Sequence, residues 1–266
     1  MPSNKRNLLA SSGISAEVLP EAVAFNGTTD YLSKSGALTG SADGKTFTFS
    51  CWVYFESNTS FEAIYDSGGI SGPGFFCQSS LNNNIQFLIK NSSSAIILNA
   101  ITATGSFPEK TWSNILVSMD LTNASNRYVY INDVDVTSGV TWTTYTDDTI
   151  PFTTTSHAVA SEATGGRYLP GRLAHFLLDY DYLDLSVEAN RRNFITADLQ
   201  PAAQATQEAL SPILYLPLTD RDTAGTNAGT GGDFTVNGNP QTASRGPNQD
   251  NCVASDFDGV ADKLVK

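Results

Sequence analysis

A chain of 266 residues, 40% of them hydrophobic, is long enough to bury a large core without disulfide staples. A formal net charge of −12 excludes a basic nucleic-acid-binding surface, and no stretch approaches the roughly 18 consecutive apolar residues of a membrane span. Neither nucleic acid nor a membrane is therefore expected as a partner.

The chain opens on Met1-Pro-Ser-Asn-Lys-Arg6, which carries charge but leads into no apolar run long enough for a signal peptide. Folding in a cytoplasm is the expectation, and the sequons at Asn26, Asn58, Asn91 and Asn123 then mean nothing for glycosylation. Residues 1–20 read as an N-terminal arm with Leu8, Leu9 and Val18 as apolar anchors.

From residue 21 to 218 the pattern is that of short strands between turn clusters. "KTFTFSCWVYF" (45–55) is the clearest: Phe47, Phe49, Cys51, Val53 and Phe55 fall on one face, Thr48, Ser50, Trp52 and Tyr54 on the other. "NIQFLIK" (84–90), "SAIILNAIT" (94–102), "WSNILVSMDL" (112–121), "NRYVYINDVDV" (126–136) and "RLAHFLLDYDYLD" (172–184) follow, bounded by Asn, Ser, Gly and Asp. Such spacing predicts an all-β antiparallel sandwich or jelly roll. One helix is expected, at "DLSVEANRRNF" (184–194), with Asp184 or Ser186 as its cap, packed beneath the sandwich.

Residues 219–266 read as a C-terminal extension, rich in Gly, Thr, Asn and Pro, with "DFTV" as its brief strand signal. "DFDGVADKLVK" (256–266) repeats in outline "AFNGTTDYLSKS" (24–35), and so predicts a partial second repeat or an exchanged strand, anchored by Phe257 and Leu264. Cys51, Cys77 and Cys252 are an odd number; Cys51 and Cys77 sit in apolar runs, and all three are expected as reduced structural thiols.

"VAFNGTTDYL" (23–32), "FTFSCWVYF" (47–55), "TWSNILVSMD" (111–120), "RYVYINDVDV" (127–136) and "GRLAHFLLDYDYLDLS" (171–186) resemble, in order, the strands of the laminin-G-like, concanavalin-A-like jelly-roll superfamily. Asp133 stands where that hairpin often has Gly. The segment after residue 186 resembles the exit region of such domains in bacteriophage virion proteins. The resemblance implies a concanavalin-A-like sandwich with one short helix and extended terminal arms. It also implies a virion structural protein, a capsid decoration or tail-fibre component, joined through its arms to other virion proteins or to copies of itself. A carbohydrate-binding adhesion module gripping a surface glycan is the alternative, and a jelly-roll glycosidase a more distant one.

Sites are sparse in the sequence. Trp142 and Tyr145, in a Thr-rich segment, and Asn82 and Asn83, in "LNNN", supply ring faces and amides suited to sugar hydroxyls; Trp52 and Trp112 read as sheet residues. Asp179, Asp181 and Asp184 in "LLDYDYLD" resemble the E-x-D-x-x-E run of jelly-roll glycosidases with Asp in place of both Glu, so catalysis is not expected; a solvated strand end is the main reading, no cofactor is expected, and Ca²⁺ binding by the three is the alternative. His157 and His175 are the sole imidazoles and lack metal-ligand spacing; His175 alternates with Leu173 and Leu177 as a packed strand residue. "GTNAGTGG" (225–232) lacks the Lys of a phosphate loop and reads as a flexible turn.

Overall fold

The computed structural model describes residues 21–248, apart from Thr59, Leu81 and Ser244. In chain order the strands are β1 (Val23–Asn26), β2 (Tyr31–Ser35), β3 (Thr46–Phe55), β4 (Ala63–Ser67), β5 (Gly74–Ser80), β6 (Asn84–Lys90), β7 (Ile96–Ile101), β8 (Trp112–Asp120), β9 (Arg127–Ile131), β10 (Val134–Asp135), β11 (Thr141–Tyr145), β12 (Ser156–Val159) and β13 (Pro170–Asp179). Two short helices, α1 (Glu188–Arg191) and α2 (Gln204–Glu208), lead to β14 (Leu214–Leu216), β15 (Thr235–Asn237) and β16 (Gln241–Thr242). The first sheet runs β10-β9-β8-β3-β13-β1-β16, with β14 also paired to β13; the second runs β11-β7-β6-β5-β4-β12-β2-β15. Every pairing is antiparallel, the sandwich that the alternating pattern predicts.

The core lies between the sheets and follows the period of two. Phe47, Phe49, Cys51, Val53 and Phe55 all enter it, as do Phe75, Cys77, Phe87 and Ile89 from the facing sheet. Phe49 sits at its centre, edge-on to Phe87 at 5.5 Å and to Phe176 at 5.4 Å. Cys51 and Cys77 are free, buried thiols. Cys252, the arm anchors Leu8, Leu9 and Val18 and the tail anchors Phe257 and Leu264 all lie outside the described residues.

Two departures from the expected boundaries matter for the site. The helix expected over 184–194 is only the four residues of α1, because Asp184 spends its carboxylate on the Ser186 N–H (2.9 Å) and Oγ (2.6 Å) in a turn before the helix starts. And the chain does not leave the sandwich at residue 218: β15 pairs with β2 and β16 with β1, so part of the expected extension completes an edge of each sheet. "GTNAGTGG" is not a flexible turn either. Asn227 Oδ1 accepts the Tyr215 and Gly229 N–H groups, and a Cβ at Gly231 would lie 2.6 Å from the Ile213 oxygen, so its glycine lets the loop press against β14.

The opening F-N-G-x-x-D motif has a mechanical cause. Asn26 Oδ1 accepts the N–H groups of Thr28, Thr29 and Asp30, and the buried Asp30 accepts from Asn26 N and, across the sequence, from Asn239 N at 2.8 Å. The β9–β10 hairpin places Asn132 and Asp133 at φ 49° and 62°, both left-handed, as a two-residue type I′ turn requires. Asp133 occupies the usual Gly position because its carboxylate ties down the α1 segment, bonding Arg191 Nε at 2.6 Å and Arg192 Nη2 at 2.8 Å. Burial pushes its pKa up, but the two guanidinium hydrogen bonds outweigh this and hold it below the ordinary range. Asp133→Ala should cost about 2 kcal/mol in urea unfolding at pH 7, since Arg191 loses its ion-pair partner and Arg192 is left with Glu188 alone; an unchanged midpoint would refute the tie.

Candidate functional site

The outer face of the first sheet is roofed by the chain after β13. Trp52, Trp112, Ala174, Ile195 and Ala243 pack there as one cluster, and Leu116, Tyr130, Leu177, Phe194 and Tyr215 as another. The roof is incomplete. Above the junction of β3 and β8 it leaves a cavity of about 560 Å³, walled by Trp52, Tyr54, Trp112, Asn132, Lys110 and Arg245, with Thr111, Leu199 and Pro247 closing the rim.

Strand register builds its floor. Tyr54 lies opposite Trp112 on β8 and opposite Arg172 on β13, so all three side chains project on the outer face. The Tyr54 and Trp112 ring centroids are 5.6 Å apart, and the Arg172 guanidinium sits 4.4 Å from the Tyr54 centroid while bonding Glu56 at 2.7 Å. Trp52, two residues along, faces Asn114. Asn132 joins from the hairpin: its Oδ1 accepts the Asn114 N–H at 2.8 Å, and its Nδ2 makes no hydrogen bond to a described residue.

Three polar atoms of this face are buried without a partner among the described residues: Trp52 Nε1, Trp112 Nε1 and Asn114 Oδ1. Unpaired buried polar groups are costly, and the two indoles that carry the unpartnered donors both wall this cavity. The lining contains rings, an amide and two cations, and no carboxylate or imidazole. Such a surface can stack an apolar sugar face and donate to hydroxyls.

The residues singled out from sequence lie elsewhere. A bulge between Trp142 and Thr144 turns both Trp142 and Tyr145 to the core side of β11, where they are partly buried instead of exposed. Their rings meet at 5.8 Å, Arg127 stacks over both, the Trp142 Nε1 donates to Thr137 O at 3.4 Å and the Tyr145 hydroxyl to Asp120 O at 2.7 Å. Asn82 and Asn83 form the β5–β6 turn, with Asn83 at φ 52° and its Oδ1 accepting from Asn58 Nδ2 at 2.9 Å. None of the four lines the cavity.

Asp179 and Asp181 do share a cleft of about 230 Å³, beside Thr48, Tyr182 and Phe194. Burial, and then the neighbouring Asp181, push the Asp179 pKa up. Asp184 does not join them: it is held below the ordinary range mainly by its bond to Ser186. Among the described residues no group of three or more His, Cys, Asp or Glu is placed to hold a metal ion, so the alternative of a Ca²⁺ cluster at D-x-D-x-x-D finds no support in the geometry. The physical reason is that the strand ends at Asp179 and the chain turns before Asp184.

His175 is a bulge, not an alternating strand residue. It has φ 48°, between Ala174 paired to Trp52 and Leu177 paired to Ser50, so the strand skips a register there. Gln207 Nε2 donates to Ala202 O (3.2 Å) and lies 3.0 Å from His175 Nδ1, which also meets the Tyr215 hydroxyl at 2.9 Å. Burial lowers the His175 pKa to about 4. A depressed base stabilises the fold above its unfolded pKa, near 6.5, and loses that contribution as pH falls towards 4. The stability gap between wild type and His175→Asn should therefore shrink by about 3 kcal/mol from pH 7 to pH 4 in denaturant titrations. Using the difference matters, because Asp66, pushed up to about 6 by burial, acts in the same window with the opposite sign. A constant gap would show that the imidazole titrates normally.

Among solved structures, the fold is similar to that of a candidate carbohydrate-binding protein from Bacteroides ovatus ATCC 8483, with 11% identity, a TM-score of 0.53 and 86% of this chain covered. It also resembles the heptameric SAP-like pentraxin of Limulus polyphemus (11% identity, TM-score 0.47, 63% of this chain and 79% of that one) and the binding domain of botulinum neurotoxin serotype D (11%, 0.44, 66% and 43%). The chain spans 61% of the Bacteroides protein. No curated protein matches it in sequence. Residues 26–181 match the family model described as the concanavalin A-like lectin/glucanases superfamily, and with two antiparallel eight-stranded sheets carrying that match, the chain belongs to this superfamily.

Proposed function

We propose that this protein is a carbohydrate-binding module and that the cavity above β3 and β8 is its binding site. The observation that carries the reading is the grouping, at one cavity, of Trp52, Tyr54 and Trp112 with the buried, unpartnered N–H groups of both indoles. A pyranose has an apolar C–H face and a rim of hydroxyls; Tyr54 and Trp112 meet the first, and Asn132 Nδ2 and the cationic rim meet the second. The likeness to the Bacteroides protein supports the fold on which such a site is built.

Our reading is binding without turnover: the described lining holds no carboxylate pair of the kind glycoside hydrolysis uses. Hydrolysis would have to come from Asp179 and Asp181, in a separate cleft. Attachment to a virion through terminal arms would rest on Leu8, Leu9, Val18, Phe257 and Leu264, which lie outside the described residues, and nothing in the described sandwich favours it over a binding module.

A glycan array followed by calorimetric titration of the best hit tests the proposal. Binding that Tyr54→Ala and Trp112→Ala strongly weaken, and Asp179→Asn leaves intact, is the expected result. A hit whose affinity ignores both ring substitutions would remove the cavity from the account.

A further inference from the structure

We infer that the sugar held in this cavity is acidic, with a carboxylate or sulfate seated between Lys110 and Arg245; the inference rests on the carbohydrate reading above. The argument is one of unspent charge. Nearly every described lysine and arginine already has a use. Lys45, Arg167, Arg172, Arg191, Arg192 and Arg221 form ion pairs. Lys34 and Lys90 donate to backbone oxygens, and Arg127 covers two rings. Lys110 and Arg245 remain, with no ion pair, side-chain hydrogen bond or ring contact among the described residues, and both line the one cavity.

The acids nearest in sequence are turned away. Glu109, beside Lys110, accepts the Asn58 N–H at 2.7 Å on another loop, and Asp133, beside Asn132, is taken by Arg191 and Arg192. Among the described residues the lining holds no Asp or Glu. In a chain of net charge −12, two unpaired cations at one aromatic-floored cavity make a local inversion of the protein's sign. An anion there gains charge-assisted hydrogen bonds with no carboxylate of the described lining to compete, while the acidic remainder of the surface repels polyanions and so restricts them to this spot. Lys110 comes from the β7–β8 connection, where its own N–H donates to Phe55 O at 2.8 Å, and Arg245 from the segment after β16. The pairing is thus made only when the C-terminal segment docks over the sheet.

The test uses the whole chain and matched pairs of probes: a uronic-acid trisaccharide with its carboxyl-reduced form, and a sulfated trisaccharide with its desulfated form, each titrated calorimetrically at two salt concentrations. Affinity for one acidic member should exceed that for its neutral partner by about tenfold or more and fall with salt, and the pair showing the preference identifies carboxylate or sulfate. Lys110→Gln and Arg245→Gln should each reduce the preference about threefold, and the double variant should bind acidic and neutral members alike. Equal binding of acidic and neutral members by the wild type would overturn the acidic ligand and leave the carbohydrate site standing. No binding of any member, with no hit on the array, would overturn both. Both cations lie at the rim, so these variants fold if the wild type does; thermal denaturation verifies this.

Discussion

Trp112→Ala is expected to weaken glycan binding by about 2–3 kcal/mol, roughly 30- to 150-fold, whereas Trp112→Phe should retain most of the affinity. Trp112 stands where three effects meet. Its ring abuts Tyr54 at 5.6 Å, its indole N–H is buried without a described partner, and it walls the cavity beside Asn132. Truncation removes the ring face and lets water into the floor; phenylalanine keeps the face and gives up only the N–H. The split between the two variants separates stacking from hydrogen bonding. Because Trp112 is also packed with Trp52 and Ile195, the alanine variant loses some stability as well, so affinity is measured well below its melting temperature. Equal losses for Ala and Phe would assign the effect to the N–H alone, and no loss for either would remove this wall from the site.

Phe49→Ala should be the most damaging substitution in the core, costing about 4 kcal/mol and lowering the melting temperature by roughly 10 °C. Phe49 is fully buried on the central strand pair and touches rings contributed by both sheets: Phe75 and Phe87 from the second, Phe176 from the first. The cavity left behind cannot collapse, because each neighbouring ring is fixed by its own strand. Phe49→Leu fills most of the space and should cost less than half as much. Denaturant unfolding of the three proteins measures this directly. A Phe49→Ala loss under 1.5 kcal/mol would mean that the sheets slide together, contrary to the packing described.

What the sequence determined by itself was the class of fold and the inward face of most strands. Alternation over "KTFTFSCWVYF" is a local property: neighbouring side chains on a strand must point opposite ways, so the residues that enter the core are written in every second letter. The same holds for the Asn26-Gly27-x-x-Asp30 turn, whose first hydrogen bonds stay within five residues. The outward letters Trp52, Tyr54 and Trp112 were equally visible, and three bulky rings on the face opposite the core are a signal that this face is covered or occupied.

Only the tertiary structure decided where the site lies. Two bulges, at Trp142/Thr144 and at His175, shift the count by one residue, which turns Trp142 and Tyr145 inward and takes His175 out of its expected row. No local pattern announces such a slip. The cavity, for its part, brings Trp52 of β3 together with Asn132 of a hairpin, Lys110 of a loop and Arg245 of the C-terminal segment. Residues separated by more than half the chain meet there because β16 adds to β1 and carries the following residues back over the outer face of the first sheet. Convergence of that kind is set by the path of the chain through space, and a one-dimensional period carries no record of it.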